Sequence, residues 1–341
     1  MARRSVRRPL AALAALAAGA LGATALTVPL STATAAAPVY VALGDSYSSG
    51  TGTRDYIDDG TTCQRSTYAY PALIAAAQRY DLNFRACSGA KVPDVTNTQL
   101  GALSTGTSYV TVSVGGNDAG FADVLTTCAQ PWWAADCDGA IDDAQAYINN
   151  ILPGALATLY GKIRTRAPYA KVVVVGYPRI FMGEDCNAGT WFSPSEMTRL
   201  NATADLLNST TGQQASTAGF SFANPTSRFI GHAVCDDPEW VNGLSSPISE
   251  SYHPNKPGHS SGYTPTVSGP LTGSTFVGGA KVTGRAARMA DALAARQRQY
   301  AAQDASIEPE VFRAPDLTTP EARRAAERAG VDLDRFIARS R

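Results

Sequence analysis

The sequence predicts an α/β protein: a three-layer α/β/α sandwich around a central parallel sheet of about five strands, with a helical extension at the C-terminus. Three observations predict it. Short runs rich in strand formers alternate with longer stretches of helical spacing. The central runs are apolar throughout, as expected of strands covered on both faces. A polar turn follows each of the first three runs, and in a parallel sheet such turns gather along one edge.

Residues 39–43 (Val-Tyr-Val-Ala-Leu) form the first buried strand, stopped by Gly44. Residues 71–80 form a helix with Pro71 in the first turn, where its missing N–H breaks no bond. Residues 82–86 give a second strand. Residues 108–114 give a third, ended by Gly115-Gly116. Residues 140–166 have helical spacing, with Pro153 at a break. Residues 171–175 (Lys-Val-Val-Val-Val) are the clearest buried strand, and a helix over 196–218 leads to a weak fifth strand at 220–223. From 258 to 284 the chain is rich in Gly, Ser, Thr and Pro and reads as irregular. An Ala/Arg/Gln helix follows over 285–303, and Thr319-Pro320-Glu321 opens another, with Thr as cap. The domain reading is a core over 36–265, a linker over 266–284 and a helical extension over 285–341; a solvated spacer is the competing reading of that tail.

Residues 1–35 read as a secretory signal peptide. Arg3, Arg4, Arg7 and Arg8 form a basic start, an Ala/Leu-rich stretch runs from Leu10 to about Leu30, and Ala33-Thr34-Ala35 offers a small-x-small cleavage site. A membrane anchor is the rival, but Ala, Gly and Thr insert weakly. Pro9 after the second arginine pair makes a poor twin-arginine match, so the export route stays open. No other stretch is long and apolar enough to span a bilayer. Six cysteines, an even number in an exported chain, imply three disulfides, for which fifteen pairings exist. Sequential pairing is the simplest: Cys63–Cys87, Cys128–Cys137 and Cys186–Cys235. No Cys-x-x-Cys spacing supports a metal site.

Equal numbers of basic and acidic residues, 29 each, argue against a nucleic-acid partner and give no support for strong binding to anionic lipid surfaces. Phosphate-loop, dinucleotide and paired metal-ligand motifs do not occur, so no cofactor and no metal is implied, and a monomer is expected. The chemistry gathers instead at three turns past strand ends: Gly44-Asp45-Ser46, Ser88-Gly89 and Gly116-Asn117-Asp118. A serine hydroxyl is a weak nucleophile without a base, and the chain has three histidines, His232, His253 and His259. Asp45 reads as organiser of the Ser46 turn and Asp118 as a cap of the next helix. His232 reads as packed or surface, and His259 as a loop residue. Gly258-His259-Ser260-Ser261-Gly262 matches a nucleophile elbow by letters but follows no strand.

Leu43-Gly44-Asp45-Ser46-Tyr47-Ser48-Ser49-Gly50 closely resembles the first block of the GDSL/SGNH hydrolases. Gly89 resembles the second-block glycine, Gly115-Gly116-Asn117-Asp118 the third block, and His253-Pro254-Asn255 the last. The four blocks occur in family order over roughly residues 39–263, and the exported six-cysteine layout is similar to secreted actinomycete (Streptomyces-type) lipases, esterases and phospholipases. The resemblance implies a flavodoxin-like sheet, Ser46 as nucleophile, His253 as its base, and an oxyanion hole of the Ser46 and Gly89 N–H groups and the Asn117 amide. Where the family has Asp three residues before the histidine, this chain has Glu250; the orienting group is then the Ser251 carbonyl, with Glu250 as the alternative. Tyr47, Phe121, Trp132 and Trp133 are candidates for an apolar substrate wall, the two tryptophans lying inside the Cys128–Cys137 loop.

The function implied is secreted, serine-based cleavage of carboxylic esters, lipid esters above all, so that the expected partner is a small-molecule or lipid ester. Phospholipase A or lipid acyltransferase activity is a close variant and carbohydrate O-acetylesterase the enzymatic runner-up. A catalytically inactive cell-surface binding protein is the alternative of another class, since fold does not dictate function.

Overall fold

Val39–Gly44 (β1), with Tyr40, Val41, Ala42 and Leu43 fully buried, is flanked in parallel by Asp81–Phe84 (β2) and Thr107–Ser113 (β3). Lys171–Val175 (β4) pairs with β3, and Ser221–Ala223 (β5) with β4, giving five parallel strands in the order β2-β1-β3-β4-β5. The order reverses between β1 and β3, so the crevice beyond their carboxyl ends is where an open α/β sheet binds ligands. The structure, a computed structural model, describes residues 36–339; the signal peptide read at 1–35 lies outside them.

Ser46–Ser49 (α1) follows β1 directly, and Tyr70–Gln78 (α2) leads into β2. Val92–Asp94 (α3) precedes β3, and Phe121–Cys128 (α4), Cys137–Asn150 (α5) and Leu152–Arg166 (α6) join β3 to β4. The α5–α6 interruption falls at Ile151, just before Pro153, which lacks the N–H a continuous helix needs. Pro194–Thr217 (α7) starts two residues earlier than its periodicity suggests because Ser193 and Glu196 form a capping box. Thr226–Phe229 (α8) and Thr264–Thr272 (α9) follow β5. Helices α5, α6 and α7 pack together over one face, and α2 and α9 over the other.

Residues 266–284 are not the irregular linker that their composition suggests. Most of α9 lies within this stretch, with Val267 and Leu271 buried where α9 packs on β4 and β5. Thr, Ser, Pro and Gly have poor helix propensity, but burial of an i, i+4 apolar pair overrides propensity. The single helix expected over 285–303 is three shorter ones: Ala280–Ala287 (α10), Ala290–Arg298 (α11) and Ala301–Asp304 (α12). Pro320–Arg328 (α13) starts at the Thr319 cap, whose hydroxyl accepts the Ala322 N–H, and Leu333–Arg339 (α14) follows.

This extension belongs to the same compact unit as the sheet. Helix α11 covers the β2 edge, where Arg296 donates to the Leu82 carbonyl at 2.8 Å and pairs with Asp81, blunting an exposed strand edge. Asp304, at the end of α12, is buried between two buried arginines: its carboxylate lies 2.7 Å from Arg65 and 2.7 Å from Arg85, while Arg65 also meets Asp59 at 2.7 Å. Removing one member of such a group leaves uncompensated charge in the interior. Asp304→Ala should therefore destabilise the fold by about 3–5 kcal/mol in urea unfolding, whereas Asp58→Ala, at an exposed pair, should shift it by about 0.5 kcal/mol or less.

Candidate active site

At the end of β1 the backbone turns sharply. Gly44 has φ 124°, and a Cβ there would sit 2.3 Å from the Ser113 carbonyl oxygen, so no other residue fits this approach to β3. Asp45 then caps α1, as its sequence context predicts. Its carboxylate accepts the Tyr47 N–H at 3.1 Å, the Ser113 hydroxyl at 2.7 Å and the Tyr177 hydroxyl at 2.5 Å, and its own N–H donates to the Ser113 carbonyl. Burial outweighs those hydrogen bonds and raises the Asp45 carboxyl to about 6. Gln99 brackets the same turn, accepting the Gly44 N–H at 2.7 Å and donating to the Gly44 carbonyl at 2.9 Å. Ser46 thus opens α1 from a support tied to β3 and to the residues after β4.

His253 reaches it from a loop 207 positions later. That loop is steadied by a short antiparallel pairing: Asn242 N–H donates to the His253 carbonyl and Tyr252 N–H to the Asn242 carbonyl, each at 2.9 Å. The Tyr47 hydroxyl donates to the Tyr252 carbonyl at 2.8 Å, joining the serine turn to the histidine loop. His253 Nε2 lies 2.8 Å from Ser46 Oγ, and Nδ1 lies 2.9 Å from the Ser251 carbonyl. A carbonyl only accepts, so Nδ1 carries the proton and Nε2 is free to accept from the serine hydroxyl. Burial lowers the imidazole from 6.5 to about 4, opposed in part by the Ser251 carbonyl. Glu250 points elsewhere: its carboxylate accepts from Tyr56 Oη at 2.6 Å and Arg54 Nε at 3.2 Å.

Gly89 and Asn117 sit just past β2 and β3, on the same sheet edge as Ser46. The Cys63–Cys87 disulfide braces the turn before Gly89; Cys128–Cys137 joins α4 to α5, and Cys186–Cys235 links two loops. The Asn117 amide donates one hydrogen to the Ala90 carbonyl at 3.1 Å, leaving the other available. Neither the Ser46 N–H nor the Gly89 N–H has an acceptor among the described residues. Three donors therefore stand unpaired at one edge.

An apolar pocket opens onto Ser46 and Asn117. Tyr47 and Phe121 line it, together with Val124, Leu125, Ile148, Ile180, Leu200 and Leu207. The tryptophans do not. Trp132 is 73% exposed, and Trp133 packs on Leu317, Ala325, Ala326 and Leu333 of the extension. The Cys128–Cys137 loop turns outward to hold the C-terminal helices, a contact no local pattern encodes. Asp118 caps α3 through the Val92 N–H, at 3.0 Å, rather than the helix after it. His259 is buried in a helical turn beside Tyr70 rather than in a loop, and the turn around it follows no strand. His232 stacks on Trp240 at 3.7 Å. Gln99, Ser113 and Tyr177 carry no motif that marks them for this site; only the position of Ser113 at a strand end is a local signal. Among the described residues no group of three or more His, Cys, Asp and Glu side chains is placed to hold a metal ion.

Residues 42–260 match the GDSL-like lipase/acylhydrolase family. The chain is 45% identical to Lipase 1 of Streptomyces coelicolor over 238 residues, which cover 69% of this chain and 87% of that one. It is similar in structure to phospholipase A1 from Streptomyces albidoflavus, with TM-score 0.66 and 43% identity over 69% of this chain and 100% of that one. The extracellular lipase of Streptomyces rimosus is similar to the same extent, with TM-score 0.65, 42% identity and the same coverage.

In the folded protein His253 stays neutral where an unfolded imidazole takes up a proton. This group alone thus makes the fold lose stability as pH falls from about 6.5 to about 4. Ring nitrogen NMR shifts should show His253 titrating near pH 4, and His253→Gln should remove that part of the acid destabilisation.

Proposed function

The chain belongs to the GDSL-like lipase/acylhydrolase family of carboxylic ester hydrolases, and from that premise we propose that it is secreted and cleaves lipid esters through Ser46 and His253. The observation that carries the proposal is the 2.8 Å contact between Ser46 Oγ and the unprotonated Nε2 of His253, at the mouth of an apolar pocket. In this reading Ser46 attacks the ester carbonyl while His253 takes its proton, then returns it to the departing alcohol. The Ser251 carbonyl fixes the imidazole tautomer. Charge on the former carbonyl oxygen is met by the Ser46 and Gly89 N–H groups and the free Asn117 amide hydrogen. Water repeats the sequence on the acyl-enzyme.

The apolar pocket holds the acyl chain. Its lining of aliphatic and aromatic side chains favours a fatty acyl group over the acetyl group of a decorated sugar. Cleavage of the ester in a phospholipid is the second reading, favoured by the similarity to the Streptomyces albidoflavus phospholipase A1. Three disulfides and the likeness to an extracellular lipase support export.

On nitrophenyl butanoate, Ser46→Ala should abolish turnover and Asn117→Ala should lower kcat about 10²–10³-fold; undiminished activity in Ser46→Ala would refute the reading. Across a panel of acyl lengths, Ala204→Phe, at the pocket wall, should move the optimum to shorter chains, whereas Trp133→Ala should leave the optimum in place.

A further inference from the structure

Apart from the apolar pocket, the structure has a separate hollow that shares none of its lining residues. Its inner wall comes from Thr62 and Gln64, flanking Cys63, and from Ser88, which follows Cys87; the Cys63–Cys87 disulfide holds these two pieces together. Ser249 closes one side, and Gln64 Nε2 reaches its hydroxyl at 3.4 Å. The outer wall is the extended segment after α12, through Pro309, Glu310 and Val311. That segment lies directly on Gly89, where an added Cβ would come within 2.3 Å of the Glu308 carbonyl oxygen. It is fastened on both sides of the cleft. Glu310 pairs with Lys91 at 2.7 Å, Arg313 pairs with Asp123 of α4 at 2.6 Å, and between them Phe312 packs edge-on against Tyr252, the residue before His253. The family match ends at residue 260, so this wall lies outside it.

The position of the hollow follows the needs of the chemistry. When the tetrahedral intermediate collapses, the acyl chain stays in its pocket and the alcohol leaves on the histidine side, where Nε2 protonates it. Two residues of the hollow's lining adjoin that site in the chain: Ser88 precedes the oxyanion glycine, and Ser249 lies two residues before the carbonyl that meets His253. We infer that it is the leaving-group subsite and that it takes a short, uncharged, hydroxyl-bearing alcohol such as glycerol. This inference rests on the roles proposed above for Ser46 and His253. Thr62, Gln64, Ser88 and Ser249 bring hydroxyl and amide groups to the lining and Pro309 and Val311 bring apolar surface, a mixture suited to a polyol with a carbon backbone. Its volume of about 250 Å³ lies just below the ~300–1,000 Å³ of drug-sized pockets, which fits a small alcohol. Glu310 is the one charged residue in the lining, and Lys91 beside it is already paired, so the hollow offers no free cation to a phosphate.

The test compares kcat/KM for three butanoate esters, of ethanol, glycerol and glycerol phosphate, in the wild type and in Pro309→Trp and Val311→Trp. Pro309 is exposed and Val311 half-buried, so a bulky ring at either fills the hollow from the surface side. The wild type should prefer the glyceryl ester to the other two. Each variant, checked for folding by circular dichroism, should lower the glyceryl-to-ethyl ratio at least tenfold. A ratio within twofold of wild type in either folded variant overturns the assignment, as does a wild-type preference for the phosphate-bearing ester. Mass-spectrometric labelling of Ser46 by diisopropyl fluorophosphate separates the two layers. If wild type is not labelled, the serine reading itself fails; if it is labelled and the ratios stay unchanged, the subsite alone fails.

Discussion

The site depends on one buried carboxylate. Asp45 gathers hydrogen bonds from the start of α1, from Ser113 at the end of β3 and from Tyr177 just after β4, all within 3.1 Å. Burial raises this group toward about 6, so the fold holds in its interior a carboxyl that would be more comfortable in water. What it gains is rigidity where position matters. Three strand ends are held to one turn, and Ser46 is the next residue in the chain. Gln99 adds a second clamp on Gly44, so both backbone groups of the turn glycine are bonded. On the role proposed for Ser46, its hydroxyl must meet the imidazole within a few tenths of an ångström and cannot sit on a loose loop.

The partner side uses a weaker device. Where a carboxylate commonly sits behind a catalytic imidazole, His253 has the neutral Ser251 carbonyl. A carbonyl sets the tautomer as well as a carboxylate does, but it stabilises the imidazolium less. Burial holds the ring's proton affinity well below its usual range, and the carbonyl offsets this only in part. On the roles proposed for these residues, the base is unprotonated over a wide pH span, and part of the work of stabilising the charged intermediate falls to the oxyanion donors. Glu250 does not relieve this, because Arg54 and Tyr56 already hold its carboxylate. The carboxylate instead fastens the loop, and so serves the imidazole through the backbone.

Much of this architecture is legible in the sequence, because it is written in neighbouring residues. Strands such as residues 171–175 are apolar after the first position, and each turn that follows a strand end is determined by adjacent residues. Local pattern alone therefore places Ser46, Gly89 and Asn117 on one edge, and His253 follows from its block. The features that sequence does not disclose depend on contacts between distant segments. Trp133 reads as pocket wall because it follows the Asn117 block, yet its neighbours lie in the C-terminal extension, at Leu317, Ala325, Ala326 and Leu333. Residues 264–272 read as irregular because their composition disfavours helix, and only burial on β4 and β5 makes them one. Gln99 and Tyr177 are ordinary residues by sequence. Their importance comes entirely from the Gly44 and Asp45 groups they happen to face.

The extension illustrates the same principle at larger scale. Read as sequence, residues after 285 form an appendage, and exposed ion pairs such as Arg313–Asp123 would hold an appendage only loosely. Asp304 changes that. Its carboxylate is shared by Arg65 and Arg85, both within the part of the chain that carries the family match, and neither arginine is exposed. Without Asp304 the one carboxylate paired with those two guanidinium groups among the described residues would be Asp59, which reaches Arg65 alone, so the matched part of this chain does not by itself balance the charge of Arg85. The segment that passes over Gly89 begins a few residues after this anchor. It therefore starts from a fixed point in the interior, and the wall it forms beside the cleft is as much a part of the domain as the sheet edge it faces.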